Sequence, residues 1–211
     1  MTKFCRELEA KFHVHDLQAV RQRLSQFGAQ LLAPRQLERN WYFDTSDRRL
    51  RQEKQVLRIR VDGRVTLTHK QQHEIFEDRS EIEVIIDDAV STRSLLEGLG
   101  FEMVLTYEKF REVFAFKGLR VMLDEMPFGD FVEIEGSSVI SLQESAAALD
   151  LDWERRTTLS YQSLFETLQE RWKLPFQEAT FEHFKRLPPE MREKFGLLLA
   201  GSRAAASRSG S

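Results

Sequence analysis

The sequence predicts an α+β fold built mainly on antiparallel β-structure, and three observations carry that reading. Apolar and polar residues alternate with period two through most of residues 6–136, the pattern of strands with one covered face. The pairs Asp62-Gly63 and Lys117-Gly118 each join two such runs through a tight turn, which sets neighbouring strands antiparallel. Helical periodicity is confined to short segments and to the chain after Ser141.

Each element follows from its residues. In 6–14, Leu8, Ala10, Phe12 and Val14 share one face, with Glu7, Glu9 and Lys11 on the other. Asp16 is placed to cap a helix from Leu17 to Phe27, with Leu17, Val20, Leu24 and Phe27 at helical spacing and Gly28 at its end. Strands are expected over 36–43, 55–61, 64–70 and 79–86, followed by a short helix from Ser91 to Leu99. Further strands over 105–116, 119–124 and 130–136 bring the total to about eight. Helices are expected over 141–149 and 160–172, then a charged amphipathic segment from Thr180 to Leu199, punctuated by Pro188-Pro189. The small, polar stretch 201–211 reads as a disordered tail. The expected organisation is one domain over 1–175, a helical extension over 176–200 and the tail.

The chain has 211 residues, 41% hydrophobic and 31% charged, with a net charge of −3. That balance suits a globular protein and gives no bulk attraction to nucleic acid or to an anionic membrane. Any anion site must be local. Cys5, the single cysteine, permits no internal disulfide and reads as a packing residue. No apolar run reaches membrane-span length, and residues 1–6 lack the apolar core of a signal peptide, so a cytoplasmic setting is expected. The five histidines show no metal-ligand spacing; His13 and His15 read as surface or strand-end residues.

The polar faces of the strands are unusually uniform. Glu7 and Glu9 are in phase, as are Arg58 and Arg60, Glu81 and Glu83, Lys109 and Arg111, and Glu133 and Glu135, with Lys11, Lys70 and Asp124 joining them. A solvated outer face would be served as well by alternating signs. Were the sheet to close with this face inward, its charges would need partners or a charged ligand. Carboxylate doublets suit Mg²⁺ or Mn²⁺, and Arg/Lys doublets suit phosphate oxygens.

Glu7-Leu-Glu-Ala-Lys11 resembles the ExExK signature of the CYTH superfamily, the triphosphate tunnel metalloenzymes. The resemblance continues in order through Tyr42-Phe43-Asp44-Thr45, Leu57-Arg58-Ile59-Arg60, Thr68-His69-Lys70, Glu81-Ile82-Glu83, Lys109-Phe110-Arg111, Leu123-Asp124, Phe131-Val132-Glu133-Ile134-Glu135 and Ser160-Tyr161. It implies an eight-stranded closed β-barrel, a triphosphate tunnel with helices packed outside, requiring Mg²⁺ or Mn²⁺. By the same resemblance, Glu7, Glu9, Asp124, Glu133 and Glu135 would hold the metal, and Lys11, Arg58, Arg60, Lys70, Lys109 and Arg111 the phosphates. Glu81 and Glu83 match an acidic pair near a second metal or the attacking water. Tyr42 matches a tyrosine that helps the motif lysine, here Lys11, activate water.

The expected function is a divalent-metal-dependent hydrolase of a small-molecule triphosphate: inorganic tripolyphosphate, thiamine triphosphate or a nucleoside triphosphate. A class IV adenylate cyclase and a non-catalytic polyphosphate- or nucleotide-binding module are the alternatives. Some cyclase-type members carry a His-Phe pair upstream of the ExExK strand, and none occurs in the six residues before Glu7, which weighs against cyclisation. No base-specific pocket is legible. A homodimer is the base-rate expectation for assembly.

Overall fold

The computed structural model describes residues 8–72, 79–188, 190 and 191. In chain order its elements are β1 (Leu8–Val14), α1 (Leu17–Gln26), β2 (Gln30–Thr45), α2 (Arg49–Gln52), β3 (Gln55–Val61), β4 (Val65–Gln72), β5 (Arg79–Ile86), α3 (Ala89–Gly98), β6 (Phe101–Phe116), β7 (Leu119–Met126), β8 (Gly129–Gly136), α4 (Val139–Ala148), α5 (Tyr161–Trp172), β9 (Glu178–Ala179) and α6 (Phe181–Lys185). A 3-10 turn at Trp153–Arg155 precedes α5. Cys5, Glu7, Pro189, residues 192–199 of the segment from Thr180 to Leu199 and the tail 201–211 lie outside the described residues.

The described residues form two compact units, one of residues 37–108 and one of residues 8–36 with those from Lys109 onward; β2 and β6 run through both. In the latter, here the β1/β8 unit, β1, β8, β7 and β6 are successive antiparallel neighbours. Their apolar face buries Leu8, Ala10, Phe12, Val121, Val132 and Ile134 against α1 and α4, which contribute Leu17, Val20, Leu24, Leu142 and Ala146. Each fully buried aliphatic side chain contributes roughly 1.5–3 kcal/mol, so this side supplies the free energy that the charged side does not. Asp16 caps α1 by accepting the Ala19 N–H at 3.1 Å. Between β6 and β7, Lys117 and Gly118 have φ of 51° and 79°, the doubly left-handed backbone of a two-residue hairpin.

α5 departs from the expectation that the helices cover the apolar face. Its first residue, Tyr161, stands edge-on to Phe131 at 5.2 Å, and Phe131 shares the face of Glu133 and Glu135. Phe131 is an apolar side chain on the charged side, and Phe128, Phe165 and Phe184 gather round it as a buried aromatic cluster.

In the 37–108 unit, β2, β3, β4 and β5 are antiparallel neighbours. Phe43, Leu57 and Ile59 pack against Leu50 of α2 and against Ala89 and Leu96 of α3, with Trp41 beside them. No periodicity in the sequence signals α2. Its organiser is Asp44, buried, whose carboxylate accepts the N–H groups of Thr45 (2.7 Å), Leu50 (2.9 Å) and Arg51 (3.1 Å). β2 also begins earlier than expected, passing through Pro34. That residue lies outside the Arg39–Phe43 stretch paired with β3, and a missing N–H is tolerated at a strand edge.

The pairings β1–β8, β8–β7, β7–β6, β2–β3, β3–β4 and β4–β5 are antiparallel, as predicted, and β9 adds a short strand against β6. β1 and β5 are not paired with each other among the described residues, so closure into a barrel is not among the observed pairings. No helix of the described residues is long and apolar enough to cross a membrane.

One half-buried acid of this framework has a measurable consequence. Asp130, opposite Glu125 in the β7–β8 register, has its pKa pushed up to about 6 by burial and by the charges of Glu125 and Asp16. A carboxyl with a raised folded pKa contributes stability below its unfolded pKa, and that contribution is lost as pH rises through the folded value. Asp130→Asn is therefore expected to raise the Tm at pH 8, with the gain shrinking as pH falls from about 6 to about 4. Thermal melts across that range check it; an equal gain at both ends would disprove the assignment.

Candidate functional site

In the β1/β8 unit, strand register sets the charged residues side by side. Glu9 faces Glu135, Lys11 faces Glu133, and Arg111 faces Asp124 across their respective pairs. Lys11 Nζ lies 3.1 Å from Glu133 Oε1 and 3.2 Å from Glu9 Oε1. It also donates to the Leu159 carbonyl at 3.3 Å and sits 4.3 Å from the centre of the Tyr161 ring. Asp124, fully buried, accepts from Lys109 Nζ at 3.1 Å, Arg111 Nε at 2.6 Å and the Tyr161 hydroxyl at 2.7 Å. Arg111 also donates to Glu133, linking the two clusters.

This network sets the ionisation of its members. Burial works against the charge on Lys11, but Glu133 and Glu9 outweigh it and raise its pKa. Burial likewise opposes ionisation of Glu133, and Lys11, Arg111 and Lys109 reverse that, holding it well below the usual carboxylate range. Burial and then the charges of Asp124 and Glu133 push the Tyr161 phenol up, so it stays a donor. Lys11 is thus a held cation, suited to binding an anion and unsuited to accepting a proton near neutral pH.

The donor chemistry of this face fits a hard divalent cation. Glu9 and Glu135 stand directly opposite on adjacent strands, an arrangement of like charges that disfavours pairing unless a cation lies between them. Asp124 fits less well, since Lys109, Arg111 and Tyr161 already take up its oxygens. Among the described residues no three acidic, histidine or cysteine side chains converge as a metal cluster, because Glu133 and Asp124 are turned to the cations.

The 37–108 unit holds the other predicted residues on its polar face. Tyr42 faces Arg58 and Arg58 faces Thr68 in register, with Glu83 beyond, while Lys70 faces Glu81. Lys70 Nζ lies 2.8 Å from Glu81 Oε2, and Arg60 Nη2 lies 3.3 Å from Glu83 Oε2, which also accepts from Thr68 Oγ1 at 3.0 Å. Arg58 is buried; desolvation opposes its charge, and Tyr42, Tyr107, Glu38 and Glu81 more than restore it. Its Nε has no hydrogen-bond acceptor among the described residues, whereas that of Arg60 lies 3.1 Å from Asp62 Oδ2. A buried donor like that of Arg58 costs free energy until an acceptor arrives. The Tyr42 hydroxyl is 3.3 Å from that of Tyr107.

Tyr161 and Leu159 were not assigned a role by sequence reasoning. Ser160 announces the start of α5 by accepting the Ser163 N–H, but nothing local says that the first helical residue lies against Lys11 and Asp124. The Tyr161 ring lies beside Lys11, and the Tyr42 hydroxyl lies against that of Tyr107.

Comparison with known proteins gives these geometries a family. The model of the CYTH domain matches residues 6–168. A Methanocaldococcus jannaschii protein named "Putative adenylate cyclase" is 30% identical over 148 residues, covering 68% of this chain and 83% of its own. The X-ray structure of a Vibrio parahaemolyticus protein, also described as a "putative adenylate cyclase", superposes with a TM-score of 0.67 at 22% identity, over 78% of this chain and 99% of that one. A Hippeastrum protein named as a "putative adenylyl cyclase" with a dominant triphosphatase activity gives a TM-score of 0.58 at 21% identity, over 76% and 95%. At such identities these two structures establish a shared fold. The family match over most of the chain, together with the archaeal relative, shows that this protein belongs to the CYTH domain family.

Proposed function

We propose that the chain is a hydrolase of phosphoanhydride bonds in triphosphate-bearing small molecules, with Mg²⁺ or Mn²⁺ required. The observation that carries this reading is the buried face on which Lys11, Lys109 and Arg111 are held against Glu133 and Asp124. Such a face is costly for a solvated protein surface and useful for exchanging internal ion pairs against an anion and a cation together. Closure of the sheet into a tunnel is part of the proposal and rests on the family resemblance.

Glu9, Glu133 and Glu135, with Glu7 outside the described residues, would hold the cation, and Asp124 would join them on giving up a cationic partner. Bound there, a divalent ion supplies charge neutralisation and lowers the pKa of a coordinated water. The chain's own groups do the rest. Lys11, Lys109 and Arg111 bind phosphoryl oxygens, Arg111 through its planar fork. Arg58, whose Nε donor is unsatisfied among the described residues, offers a further phosphate contact, as do Arg60 and Lys70. Glu81 and Glu83 are the proposed water-positioning or second-metal pair. Lys11 acts as a fixed charge, and any help from Tyr42 in activating water comes from its hydroxyl.

The second reading is adenylate cyclisation, favoured by the name of the archaeal relative; there a ribose hydroxyl replaces water. A metal-dependence assay on tripolyphosphate, thiamine triphosphate and ATP separates the readings. Orthophosphate without cyclic AMP is the expected result. Cyclic AMP with pyrophosphate would replace hydrolysis by cyclisation, and tight binding without product would make the protein a binding module.

A further inference from the structure

A cavity of about 740 Å³ opens in the β1/β8 unit between the end of β1, the start of α1 and residues 149–159. Ligand pockets typically measure about 300–1,000 Å³, with mostly apolar walls and a few convergent polar groups. Here the walls include Phe12, Val20, Leu149 and Leu151, and the polar groups include His13, His15 and Arg155. Neither Glu9 nor Lys11 lines it, so it is not the face described above.

Its charges are unequally engaged. Arg23 pairs with Asp150 at 2.8 Å. Asp16 and Asp152 cap local N–H groups, those of Ala19 and Glu154. Arg156 donates to the Trp153 carbonyl at 2.8 Å and lies over the Trp153 ring. Arg155 has no ion pair or side-chain hydrogen bond among the described residues, although it stands close enough to His13 to disfavour its protonation. Burial, His15 and Arg155 together lower the His13 pKa to about 4, leaving a neutral imidazole that can donate one hydrogen bond.

We propose that this cavity is a second ligand site, taking a small amphipathic monoanion. An apolar or aromatic body lies against Val14, Ala19, Leu151 and Leu159, the accessible apolar residues of the lining, and a single carboxylate, sulfonate or phosphate meets Arg155. The acids at the rim, Asp16, Asp150, Asp152 and Glu154, repel a polyanion, so the site excludes a triphosphate chain. Its floor touches the other face through the backbone: Thr157 N–H donates to the Lys11 carbonyl at 2.7 Å, and the Leu159 carbonyl accepts from Lys11 Nζ. An occupant pressing on 157–159 therefore acts on the lysine of the anion-binding face. The site does not depend on the proposed hydrolysis.

The test uses 8-anilinonaphthalene-1-sulfonate, an aromatic body with one sulfonate, on the full folded chain. Saturable one-to-one binding with enhanced fluorescence is expected, undisturbed by excess tripolyphosphate. Arg155→Glu should weaken it at least tenfold, and Ala19→Trp, at an exposed position of the lining, should block it, both with unchanged melting curves. The uncharged N-phenyl-1-naphthylamine should respond to Ala19→Trp and not to Arg155→Glu. The proposal fails if the sulfonate does not bind saturably, if tripolyphosphate displaces it, or if both variants bind it normally. Should Arg155→Glu lower the melting temperature, Arg155→Gln gives the same decision by a smaller loss of affinity.

Discussion

Asp124→Asn is expected to lower the unfolding free energy by about 3–5 kcal/mol, the usual cost of removing one partner from a buried ion pair. The substitution keeps shape and volume and removes one charge. Lys109 and Asp124 are 3% and 0% exposed, so water cannot replace the lost partner of Lys109. Arg111 retains Glu133, Lys109 keeps the Glu133 charge nearby, and Tyr161 can still donate to the amide oxygen, so the loss is that of the Asp124 charge shared by the network. Urea denaturation should show a lower midpoint with an unchanged slope. Tripolyphosphate should then stabilise the variant more than the wild type, because the released cations favour an anion by mass action. A loss below about 1 kcal/mol, the value of an exposed pair, would mean that the network is not closed to water.

Glu135→Gln should behave in the opposite way. Glu135 faces Glu9 directly, and its ion pair with Arg120 is long, 3.9 Å, to a side chain 57% exposed. Relief of like-charge opposition contributes about 0.2–1 kcal/mol in favour of the variant, while the exposed pair is worth little. Stability should change by no more than about 1 kcal/mol. Turnover should fall by at least about 100-fold, since changes in outer-shell partners of metal ligands alone cost about 10–100-fold. The pairing of intact stability with lost activity is the signature of a group kept for a ligand. Near-normal metal-dependent turnover would remove Glu135 from the proposed metal ligands.

Much of the fold was legible because its determinants are local. The alternation in Leu8–Val14 and Gly129–Gly136, the Asp16 cap and the Lys117-Gly118 turn each act within a few residues. What the sequence concealed was set by distant contacts. α2 exists because Asp44 reaches forward to Leu50 and Arg51, and β2 runs past Pro34 because that stretch lacks β3 as a neighbour. Within the candidate site, phase alone placed like charges on one face. It could not say that opposite charges would be bonded to one another, because that depends on the register Lys11 to Glu133 and Arg111 to Asp124. Nor could it set Tyr161 beneath both lysines, a matter of where α5 docks.

The register of β1 also bears on the order in which the molecule is assembled. β6, β7 and β8 follow one another in sequence and in space, joined at Lys117-Gly118 and Pro127-Phe128. Such neighbours pair quickly, because little chain entropy is lost in closing their loops. Arg111 and Asp124 can therefore meet early in folding. β1 has β8 as its strand neighbour, so Glu9 and Lys11 must wait until nearly all of the sheet has been synthesised before finding Glu135 and Glu133. Of these four strands, the one bearing the glutamate–lysine pattern is made before the others and can be paired only after β8 has followed it.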